Sequence, residues 1–460
     1  MRIAVVGAGV GGLAAAVRLA RAGHAVTVLE AGAAPGGKCG RVEREGFVWD
    51  SGPSLLTMPW VFRDLFAETG PPLDDELELV RVEPVTRYRF ADGTGFDLSA
   101  DLPSALEELE TWSPGAGADW TRFLGVCAGM WRAAVPFLTG PPMWPPKPGG
   151  ARPDPLDFAR VRPWWTLSQL ARACARDQRL RMVIERFATY AGADPRRAPA
   201  ALAVAGFVEH AFGAWHPRGG MYELVLALVR RLQGVGGELR LRTPVERVLV
   251  RDGRARGVAT DAGAVEADAV VTDVDAEVVR GRLLGLRAGR RARSLSGLAV
   301  MLGLRDAAPG VAHHTVHFPA DYGAEFDDLF VRRRPPRDPA VYVAAPPDAP
   351  GAWFVLVNAP AVGDAADWEA LESSAVARLG IADRIVVRAR RTPGDLARET
   401  GAPGGAIYGA APHGRLASLR RPGPAVRGVR GLWMAGGTVH PGGGLPLVAL
   451  GAAGVARAIG

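Results

Sequence analysis

Three closely spaced glycines near the start of the chain have a pattern that can bind phosphate groups. Gly7, Gly9 and Gly12 follow a short β-branched run in GxGxxG spacing and precede an Ala/Leu-rich stretch. The first glycine of such a turn makes the bend, the second lets the backbone approach a pyrophosphate, and the third lets the helix pack on the strand. The N-terminus of that helix would direct free N–H groups and a partial positive charge at the phosphates.

An acidic residue ends the next apolar run. Glu30 lies where a carboxylate can accept hydrogen bonds from ribose hydroxyls, which favours FAD or NAD over NADP. Strand, glycine turn, helix, strand and acid occur together within residues 3–30. This combination predicts a Rossmann-like dinucleotide-binding unit in an α/β protein.

Candidate acid–base groups are few in the C-terminal part of the chain. His440 is a candidate proton acceptor, and the alternative is that it anchors the glycine-rich loop around it. His413 allows the same two interpretations. Arg420 and Arg421 either bind a phosphate or face solvent. We take His440 as the candidate catalytic residue.

No metal site is predicted. His313, His314 and His317 lie close together, but no cysteine or acidic ligand has a suitable spacing, and their alternation favours a surface strand. The three cysteines form neither a CxxC motif nor a Cys/His pair, so we expect no disulfide framework and no zinc. So few thiols fit a reducing cytoplasm.

Composition excludes some classes of protein. The chain has 460 residues, of which 48% are apolar and 22% charged, which is ordinary for a globular protein of two or three domains. Its net charge of +7 comes mainly from scattered arginines, so we expect no nucleic-acid partner. No window of about 20 residues is apolar enough to span a bilayer. We therefore expect a cytoplasmic protein whose contact with membranes is peripheral.

The nucleotide-binding pattern returns twice along the chain. Glycine pairs, strand-like runs and a late glycine-rich loop predict a discontinuous dinucleotide-binding domain made of residues 1–75, 215–280 and 405–460. Residues 76–214 form a predicted helical, Trp-rich insert, and residues 281–404 form a second insert of mixed strands and helices. The two inserts would supply the substrate side.

The first insert contains an aromatic cluster next to a proline-rich stretch, residues 140–148. One interpretation is a face that enters the membrane interface, where aromatic rings are favoured, and admits a substrate found in membranes. The alternative is an ordinary core. We favour the interface, because the Pro/Trp stretch can hardly be core. The residues of this face would be Trp120, Phe123, Leu124, Trp131, Phe137, Leu138 and Trp144.

Several segments together resemble the bacterial-type phytoene desaturases. They are residues 7–30, Gly36-Gly37-Lys38, residues 50–59 (DSGPSLLTMP), residues 215–221 (WHPRGGM) and residues 435–446 (AGGTVHPGGGLP). The form HPGGGLPLV and the segment 408–423 are most similar to hydroxycarotenoid desaturases. The resemblance covers both ends and the middle nucleotide-binding segment, and it is vague in the two inserts.

This resemblance implies a fold, a cofactor and an activity. The fold would be a Rossmann-like FAD-binding domain of the glutathione reductase and amine oxidase type, interrupted by a mixed α+β substrate domain. FAD would be bound without a covalent link, and residues 405–460 agree because they contain no cysteine. The enzyme would remove a hydride and a proton from adjacent carbons of an acyclic carotenoid or related polyene at a membrane surface. The electron acceptor stays open between oxygen, a quinone and NAD.

The resemblance assigns residues to the diphosphate and adenosine part of FAD. The first three glycines would hold the pyrophosphate, and Glu30 the adenosine ribose. Gly36, Gly37 and Lys38 match a glycine-pair motif whose basic residue lies near the phosphates, although the family often has arginine at the last position. Val245 would contact the adenine through its strand backbone.

The resemblance also assigns residues to the flavin end. These are Gly52, Pro53, Ser54, Gly436, Gly437, Thr438, Leu445 and Pro446. Residues 52–54 would line the isoalloxazine ring. The later glycine pair would approach the ribityl chain, where backbone amides or Thr438 take the place of the aspartate of many flavoproteins. A helix starting at Leu445-Pro446 would direct its positive end at flavin N1 and C2=O.

Three other functions compete with desaturation. A flavin amine oxidase-like enzyme commonly needs an aromatic cage beside the flavin and often a lysine near N5, but no aromatic residue follows Trp433 and the chain has only Lys38 and Lys147. A redox-neutral carotenoid isomerase or hydroxysqualene-type dehydroxylase would consume no oxidant. A non-catalytic flavin- or NAD-binding protein is the third alternative.

Overall fold

The computed structural model describes residues 1–141, 154–287, 291–306, 311–414 and 417–460. Trp144 and most of the proline-rich stretch therefore lie outside the described residues. Within the described ranges, no helix is both long and apolar enough to cross a membrane.

The chain alternates strands and helices from its first residues to its last. The strands are β1 (Arg2–Val6), β2 (Ala25–Leu29), β3 (Arg41–Arg44), β4 (Phe47–Asp50), β5 (Leu79–Arg81), β6 (Thr86–Arg89), β7 (Gly95–Leu98), β8 (Trp215–Pro217), β9 (Glu238–Arg240), β10 (Val245–Arg251), β11 (Arg254–Thr260), β12 (Gly263–Glu266), β13 (Ala269–Thr272), β14 (Ser296–Leu304), β15 (His314–His317), β16 (Val341–Ala344), β17 (Ala352–Ala359), β18 (Ile385–Arg391) and β19 (Leu432–Met434).

The helices are α1 (Val10–Arg21), α2 (Trp60–Thr69), α3 (Leu102–Trp112), α4 (Ala116–Thr139), α5 (Pro155–Arg160), α6 (Leu167–Cys174), α7 (Gln178–Arg186), α8 (Val204–Phe212), α9 (Tyr222–Gly234), α10 (Ala276–Val278), α11 (Tyr322–Phe326), α12 (Trp368–Leu379), α13 (Pro393–Thr400) and α14 (Leu445–Ile459). Short 3-10 or π-helical turns occupy Leu73–Asp75, Thr189–Ala191, Ala200–Ala203, Val279–Leu283, Asp327–Arg332, Ala382–Arg384, Pro403–Gly405 and Ser418–Arg420.

A parallel sheet in the order β19-β13-β1-β2-β9 carries the glycine turn at its centre. Side chains alternate along β1 between two cores, as the period of a strand requires. Ile3 and Val5 face a core shared with α1, α2, α9 and α14. Ala4 and Val6 face a second core shared with the β10-β11-β12 sheet. Three separate stretches of the chain thus build one sheet buried on both faces.

The β10–β11 hairpin turns at Asp252-Gly253. An Asp-Gly pair between two alternating runs predicts such a turn, because both central residues need a positive φ. The two residues have φ of +51° and +67°. The predicted turn is confirmed.

A mixed sheet in the order β18-β14-β17-β16-β15-β6-β7 forms the other half of the molecule. Strands β6 and β7 belong to residues 76–214, which the sequence pattern predicted to be mostly helical, so the two inserts share this sheet. Along β14, Leu298, Val300 and Leu302 pack in a core with α12. The alternate residues Gly297 and Ala299 line a large cavity.

Helices α3 to α8 form a layer with its own core. Trp120, at 1% exposure, lies in this core with Phe123 and Leu124, so the expectation that these residues enter a membrane interface is wrong. Helices α3, α6 and α8 cover that side of α4. Further along α4, Trp131 and Phe137 line the cavity, as does Leu138. The apolar stripe indicates a covered face but does not say what covers it.

The histidine-rich strand is buried, so the expectation of a surface strand is wrong. Strand β15 lies between β16 and β6 in the mixed sheet, and His314 is 0% exposed. Burial lowers the pKa of His314 to about 4, which keeps the ring neutral. Its ring packs against His313, which in turn packs against His216. In the described part of the chain, no group of His, Cys, Asp and Glu side chains is arranged to hold a metal ion.

Truncation of Trp120 tests whether the aromatic stripe is core. Trp120→Ala should lower the free energy of unfolding by about 3–5 kcal/mol, because a large buried side chain is lost and a cavity remains. Trp164→Ala is the control, since Trp164 is 49% exposed; we expect a change of about 0.5 kcal/mol or less. Denaturant titration of both variants measures the effect. An equally small loss of unfolding free energy in both variants would contradict the assignment of Trp120 to the core.

Candidate functional site

The glycine turn brings α1 directly against the end of β1. Gly7 has φ of +97°, which favours glycine. A Cβ on Gly12 would lie 2.1 Å from the Gly7 carbonyl oxygen, so no other residue fits there without moving the backbone. Gly36, with φ of +114°, donates its N–H to the Ala8 carbonyl at 2.8 Å. The two predicted glycine motifs therefore lie side by side.

Glu30 is bonded to the glycine turn. Its carboxylate accepts hydrogen bonds from the N–H groups of Ala8 and Gly32, each at 2.7 Å. The side chain also borders the cavity and is partly exposed. It therefore holds the turn against the end of β2, and its contact with a ribose stays a prediction.

Asp273, which the sequence analysis missed, lies at the centre of these glycines. It follows β13, and its Oδ2 accepts the Gly12 N–H at 2.8 Å. Asp273 borders the cavity, although protein surrounds it on its other sides. Burial raises the pKa of its carboxyl to about 7, against the Gly12 N–H and the Lys38 charge, which lower it. An acid at the carboxyl end of a buried parallel strand is the signal that could have identified it.

The Lys38 ammonium donates to the Ile407 carbonyl at 2.5 Å. Burial lowers its pKa, and the nearby carboxylates of Asp275 and Asp273 oppose that effect. Lys38 borders the cavity together with Gly36 and the other residue of that glycine pair, Gly37. Its predicted place beside phosphates stays a prediction, because the ammonium is already engaged by a backbone carbonyl.

The C-terminal loop brings a second helix N-terminus to the cavity. Helix α14 starts at Leu445 with Pro446 in its first turn, which confirms the predicted start. Both residues line the cavity, and no side chain caps the helix. The first N–H groups of a helix have no partner within it, so this end can donate to a ligand.

The residues before that helix are held in place by neighbouring elements. The Thr438 hydroxyl accepts the Ala276 N–H at 3.0 Å. The Gly437 carbonyl accepts from the Arg421 guanidinium at 3.1 Å. Gly436, Gly437 and Thr438 all line the cavity. Arg421 borders it too and is not a solvent-facing residue.

Residues 52–54 form another wall of the cavity. A Cβ on Gly52 would lie 1.8 Å from the Lys38 carbonyl oxygen, so only glycine fits. The hydroxyls of Ser54 and Tyr342 lie 2.5 Å apart and share a hydrogen bond. Pro53, between Gly52 and Ser54, also lines the cavity. Val245, at the start of β10, lines it as well.

The two histidines considered for catalysis have structural partners. His440 Nε2 is 3.1 Å from the Gly140 carbonyl oxygen, and its ring packs edge-on against Phe137. His440 is buried and is not among the cavity-lining residues, which supports the anchoring alternative. His413 Nε2 accepts the Asp194 N–H at 3.0 Å. A catalytic role for His440 stays a prediction.

One cavity of about 830 Å³ connects the glycine turns with the helical layer. Its volume is within the range of ligand-binding pockets. Besides the glycine turns, apolar side chains from α4, α5 and α8, and Phe187 just after α7, line it. They include Trp131, Phe137, Leu138, Phe158, Phe187, Val204 and Val208. The same space can therefore hold a dinucleotide and a long apolar molecule.

A buried cation with tyrosine partners interrupts the apolar lining. The Arg186 guanidinium, on a residue 6% exposed, donates to the Tyr190 hydroxyl at 2.7 Å and to the Tyr88 hydroxyl at 3.2 Å. Both rings also lie beneath the guanidinium. Within the described residues Arg186 forms no salt bridge, and Glu209 acts on it only through its charge. No sequence motif predicted the cluster of Arg186, Tyr88 and Tyr190, because all three lie in the first insert, residues 76–214.

The arrangement around the glycine turns fits FAD. Two helix N-termini, those of α1 and α14, open onto the cavity. A Cβ on Gly9, Gly11 or Gly436 would come within 2.8 Å of a carboxylate oxygen of Asp273, so bare backbone surrounds the space. Bare backbone and free N–H groups are what a pyrophosphate requires. Fold and site together define a flavin-binding oxidoreductase.

Comparisons with known proteins identify the family. The sequence model of the flavin containing amine oxidoreductases matches residues 10–287. The chain is 34% identical to a zeta-carotene-forming phytoene desaturase of Myxococcus xanthus, over 98% of this chain and 92% of that protein. It is 36% identical to a hydroxyneurosporene desaturase of Cereibacter sphaeroides, over 100% of this chain and 97% of that protein.

Solved structures show the same fold. Putrescine oxidase bound to putrescine superposes with a TM-score of 0.65 at 17% identity, over 100% of this chain and 99% of that chain. An oxidoreductase from Methanosarcina mazei gives 0.64 at 19% identity, over 99% and 100% of the two chains. The chain belongs to the flavin containing amine oxidoreductase family, and within it to the phytoene desaturase group. The predicted fold class and the FAD cofactor are confirmed.

The carboxyl of Asp273 predicts a pH-dependent affinity for FAD. The pKa of Asp273 is raised to about 7 in the folded protein, whereas the same carboxyl loses its proton near pH 4 in the unfolded chain. The stability that protonated Asp273 contributes to the fold is therefore lost as the pH rises towards 7. Above pH 7 the ionised carboxylate repels a bound diphosphate. We expect apoprotein to bind FAD more weakly at pH 8 than at pH 6. Asp273→Asn should bind about tenfold tighter than wild type at pH 8, a difference of about 1.4 kcal/mol.

Asp268 provides the matched control, because it precedes β13 at the end opposite Asp273 and is partly exposed. Asp268→Asn should keep the wild-type pH dependence in a fluorescence titration of apoprotein with FAD. Equal wild-type affinities at both pH values would contradict this account of Asp273.

Proposed function

We propose that this protein is an FAD-dependent desaturase of an acyclic carotenoid, either phytoene or a hydroxycarotenoid. The main support for this proposal is a single cavity that is lined both by the glycine turns and by apolar residues of the helices. Such a lining suits a polyene lying beside a flavin. The full-length relatives named as desaturases support the same substrate class.

The residues of this chain bind and orient, and the cofactor supplies the redox step. FAD, when bound, accepts a hydride. The glycine turns and the N-terminus of α1 would hold its diphosphate, and the wall of residues 52–54 would face its ring. The N-terminus of α14 would stabilise negative charge at the flavin end. The apolar residues of α4 and α8, together with Phe187, would exclude water and hold the polyene extended.

The apolar lining argues against a small cationic amine as substrate. Within the described residues, apolar side chains supply most of the cavity wall that α4, α5 and α8 provide.

A relative of 31% identity over 98% of this chain is named a 4,4'-diapolycopene oxygenase, from Methylomonas sp. The experiment must therefore separate desaturation from oxygen insertion and from isomerisation.

The pigment content of bacteria that make phytoene, or hydroxyneurosporene, tests the proposal. Wild-type chain should convert one of them into a red-shifted product with additional double bonds. Gly12→Ala should abolish that product, because its Cβ would lie 2.1 Å from the Gly7 carbonyl oxygen. Gly454→Ala is the matched control, since Gly454 is also a helical glycine and nothing lies within 4 Å of its added Cβ.

Chromatography with mass detection decides among the outcomes. Loss of hydrogen with wild type and Gly454→Ala, but not with Gly12→Ala, is the expected result. An unchanged pigment profile in cells that contain FAD-bound protein would contradict the proposal. A product of unchanged mass would indicate an isomerase, and one with an added oxygen an oxygenase.

We further propose that the protein binds the membrane surface peripherally, beside the cavity. Leu156 is 66% exposed and Trp164 is 49% exposed. They are neighbours in sequence of the cavity-lining residues Phe158, Val161 and Pro163. A substrate that dissolves only in lipid would then enter from the bilayer.

Sedimentation with phospholipid vesicles tests this surface. Replacing both Leu156 and Trp164 with Ser should weaken vesicle binding at least tenfold, since burial of each apolar side chain contributes about 1.5–3 kcal/mol. Val331→Ser is the control, because Val331 is 71% exposed and does not line the cavity. Unchanged sedimentation of the double variant would refute the membrane proposal.

A further inference from the structure

A single carboxylate lies in the apolar wall that α8 presents to the cavity. Val204, Ala205, Val208 and Glu209 line the cavity from one face of this helix. Glu209 is 2% exposed. It is the only acidic residue between Asp194 and Glu223. An ionisable group in such a place is costly to bury, so a specific use for it is expected.

Neither carboxylate oxygen of Glu209 has a hydrogen-bond partner among the described residues. Glu325 provides the contrast within the same chain. It is 1% exposed, yet its oxygens accept the Ala340 N–H and the Asn358 amide, each at 2.9 Å. Glu325 is therefore a satisfied structural carboxylate, whereas Glu209 has no well-aligned hydrogen-bond partner among the described residues and can accept a proton.

The groups that face Glu209 come from four other segments: α7, the turn Thr189–Ala191, β6 and β16. Burial raises the pKa of Glu209, and the charge of Arg186, the last residue of α7, partly opposes this. The Tyr190 hydroxyl lies close enough to the carboxylate for a weak, poorly aligned hydrogen bond, which also lowers that pKa. Tyr88 on β6 and Tyr342 on β16 are close enough to feel its charge. Within the described residues, Arg186 and Glu209 form no salt bridge and interact only through their charges.

Tyr342 connects this group to the flavin wall. Its hydroxyl shares a hydrogen bond of 2.5 Å with Ser54, one of the residues predicted to line the isoalloxazine ring. Arg186, Glu209, Tyr342 and Ser54 all border the same cavity. A polyene carbon beside residues 52–54 would therefore lie on the side of the cavity where Glu209 is found.

We propose that Glu209 is the catalytic base of the desaturation. This inference rests on the proposed function, which leaves the proton acceptor unassigned. In forming one double bond, one carbon loses a hydrogen as hydride, which bound FAD would accept. The adjacent carbon loses its hydrogen as a proton to a carboxylate oxygen of Glu209. The electron pair of that second C–H bond becomes the new π bond, so atoms and electrons balance.

Arg186 acts as a positioning residue in this account. Its guanidinium is fixed by the hydroxyls of Tyr190 and Tyr88. It favours the ionised form of Glu209 in a cavity that would otherwise favour the neutral acid. Because no described residue forms a salt bridge with the carboxylate, its oxygens stay available to the substrate.

Single-turnover kinetics with the FAD-loaded protein tests the base. Phytoene and hydroxyneurosporene in phospholipid vesicles are the probes, and double-bond formation without oxygen is the signal. Wild-type rates should rise with pH as Glu209 ionises. Glu209→Gln should lower the rate about 10²–10⁴-fold, the usual contribution of a general base, and should remove that rise. Quenching of flavin fluorescence by the polyene should show that the variant still binds substrate.

Two further variants separate chemistry from structure. Glu325→Gln removes a partnered buried carboxylate and should keep the wild-type pH profile. Glu209→Ala should regain rate when formate is added, in proportion to the ionised formate, because a free carboxylate can replace the missing one. Where Glu209→Gln does not fold, Glu209→Asp decides: a slower reaction that still rises with pH supports the base, and an unchanged rate overturns it.

The outcomes distinguish this inference from the proposed function. If wild type converts neither probe, the proposed function fails. If wild type forms product and Glu209→Gln forms it as fast, with the same pH profile, the assignment of Glu209 is wrong. A raised KM for hydroxyneurosporene alone, with an unchanged maximal rate, would also overturn it, because Glu209 would then recognise a hydroxyl.

Discussion

The direct contact of helix α1 with the end of β1 is the constraint on which the rest of the site depends. Gly12 has no space for a Cβ against the Gly7 carbonyl. This contact fixes where the helix N-terminus points and leaves bare backbone facing the cavity. Asp273 then joins β13 to the helix through the Gly12 N–H, and Glu30 joins β2 to the same turn. Three strands and one helix are thereby held at a single point.

The sequence predicted what is local in this arrangement. The strand-turn-helix pattern, the Asp252-Gly253 hairpin and the start of α14 depend on neighbouring residues whose types set the backbone conformation. Asp273 was missed because it lies 261 residues from Gly12 along the chain. Only the order of strands in the parallel sheet brings the two together, and no local pattern contains that order.

The inserts were harder to predict for a related reason. An apolar stripe on α4 looks the same whether a membrane, a cavity or other helices cover it, and here helices cover Trp120 while the cavity borders Trp131. Strand β15 was expected at the surface, but it is buried between β16 and β6. The alternating histidines predict a strand and do not reveal whether other strands lie on both sides of it. Glu209 had a signal, since an acid in a long apolar run is unusual, but Arg186 and its tyrosines had none.

The cavity combines two kinds of wall that serve one reaction. Bare glycine backbone and helix N-termini suit an anionic cofactor, and apolar side chains suit a polyene that dissolves poorly in water. The hydrogen bond between Tyr342 and Ser54 joins a residue of the mixed sheet to the wall of residues 52–54, and both line the cavity. The chemistry of desaturation needs this junction, because hydride and proton leave from adjacent carbons.

The ratio of flavin reduced to double bonds formed, measured without oxygen, tests whether bound FAD is the oxidant of the desaturation. We expect each new double bond in phytoene or hydroxyneurosporene to bleach one equivalent of bound FAD, and no further product to form until an electron acceptor is added. Product formation with the flavin still oxidised, or only when oxygen is present and incorporated, would contradict this role of FAD.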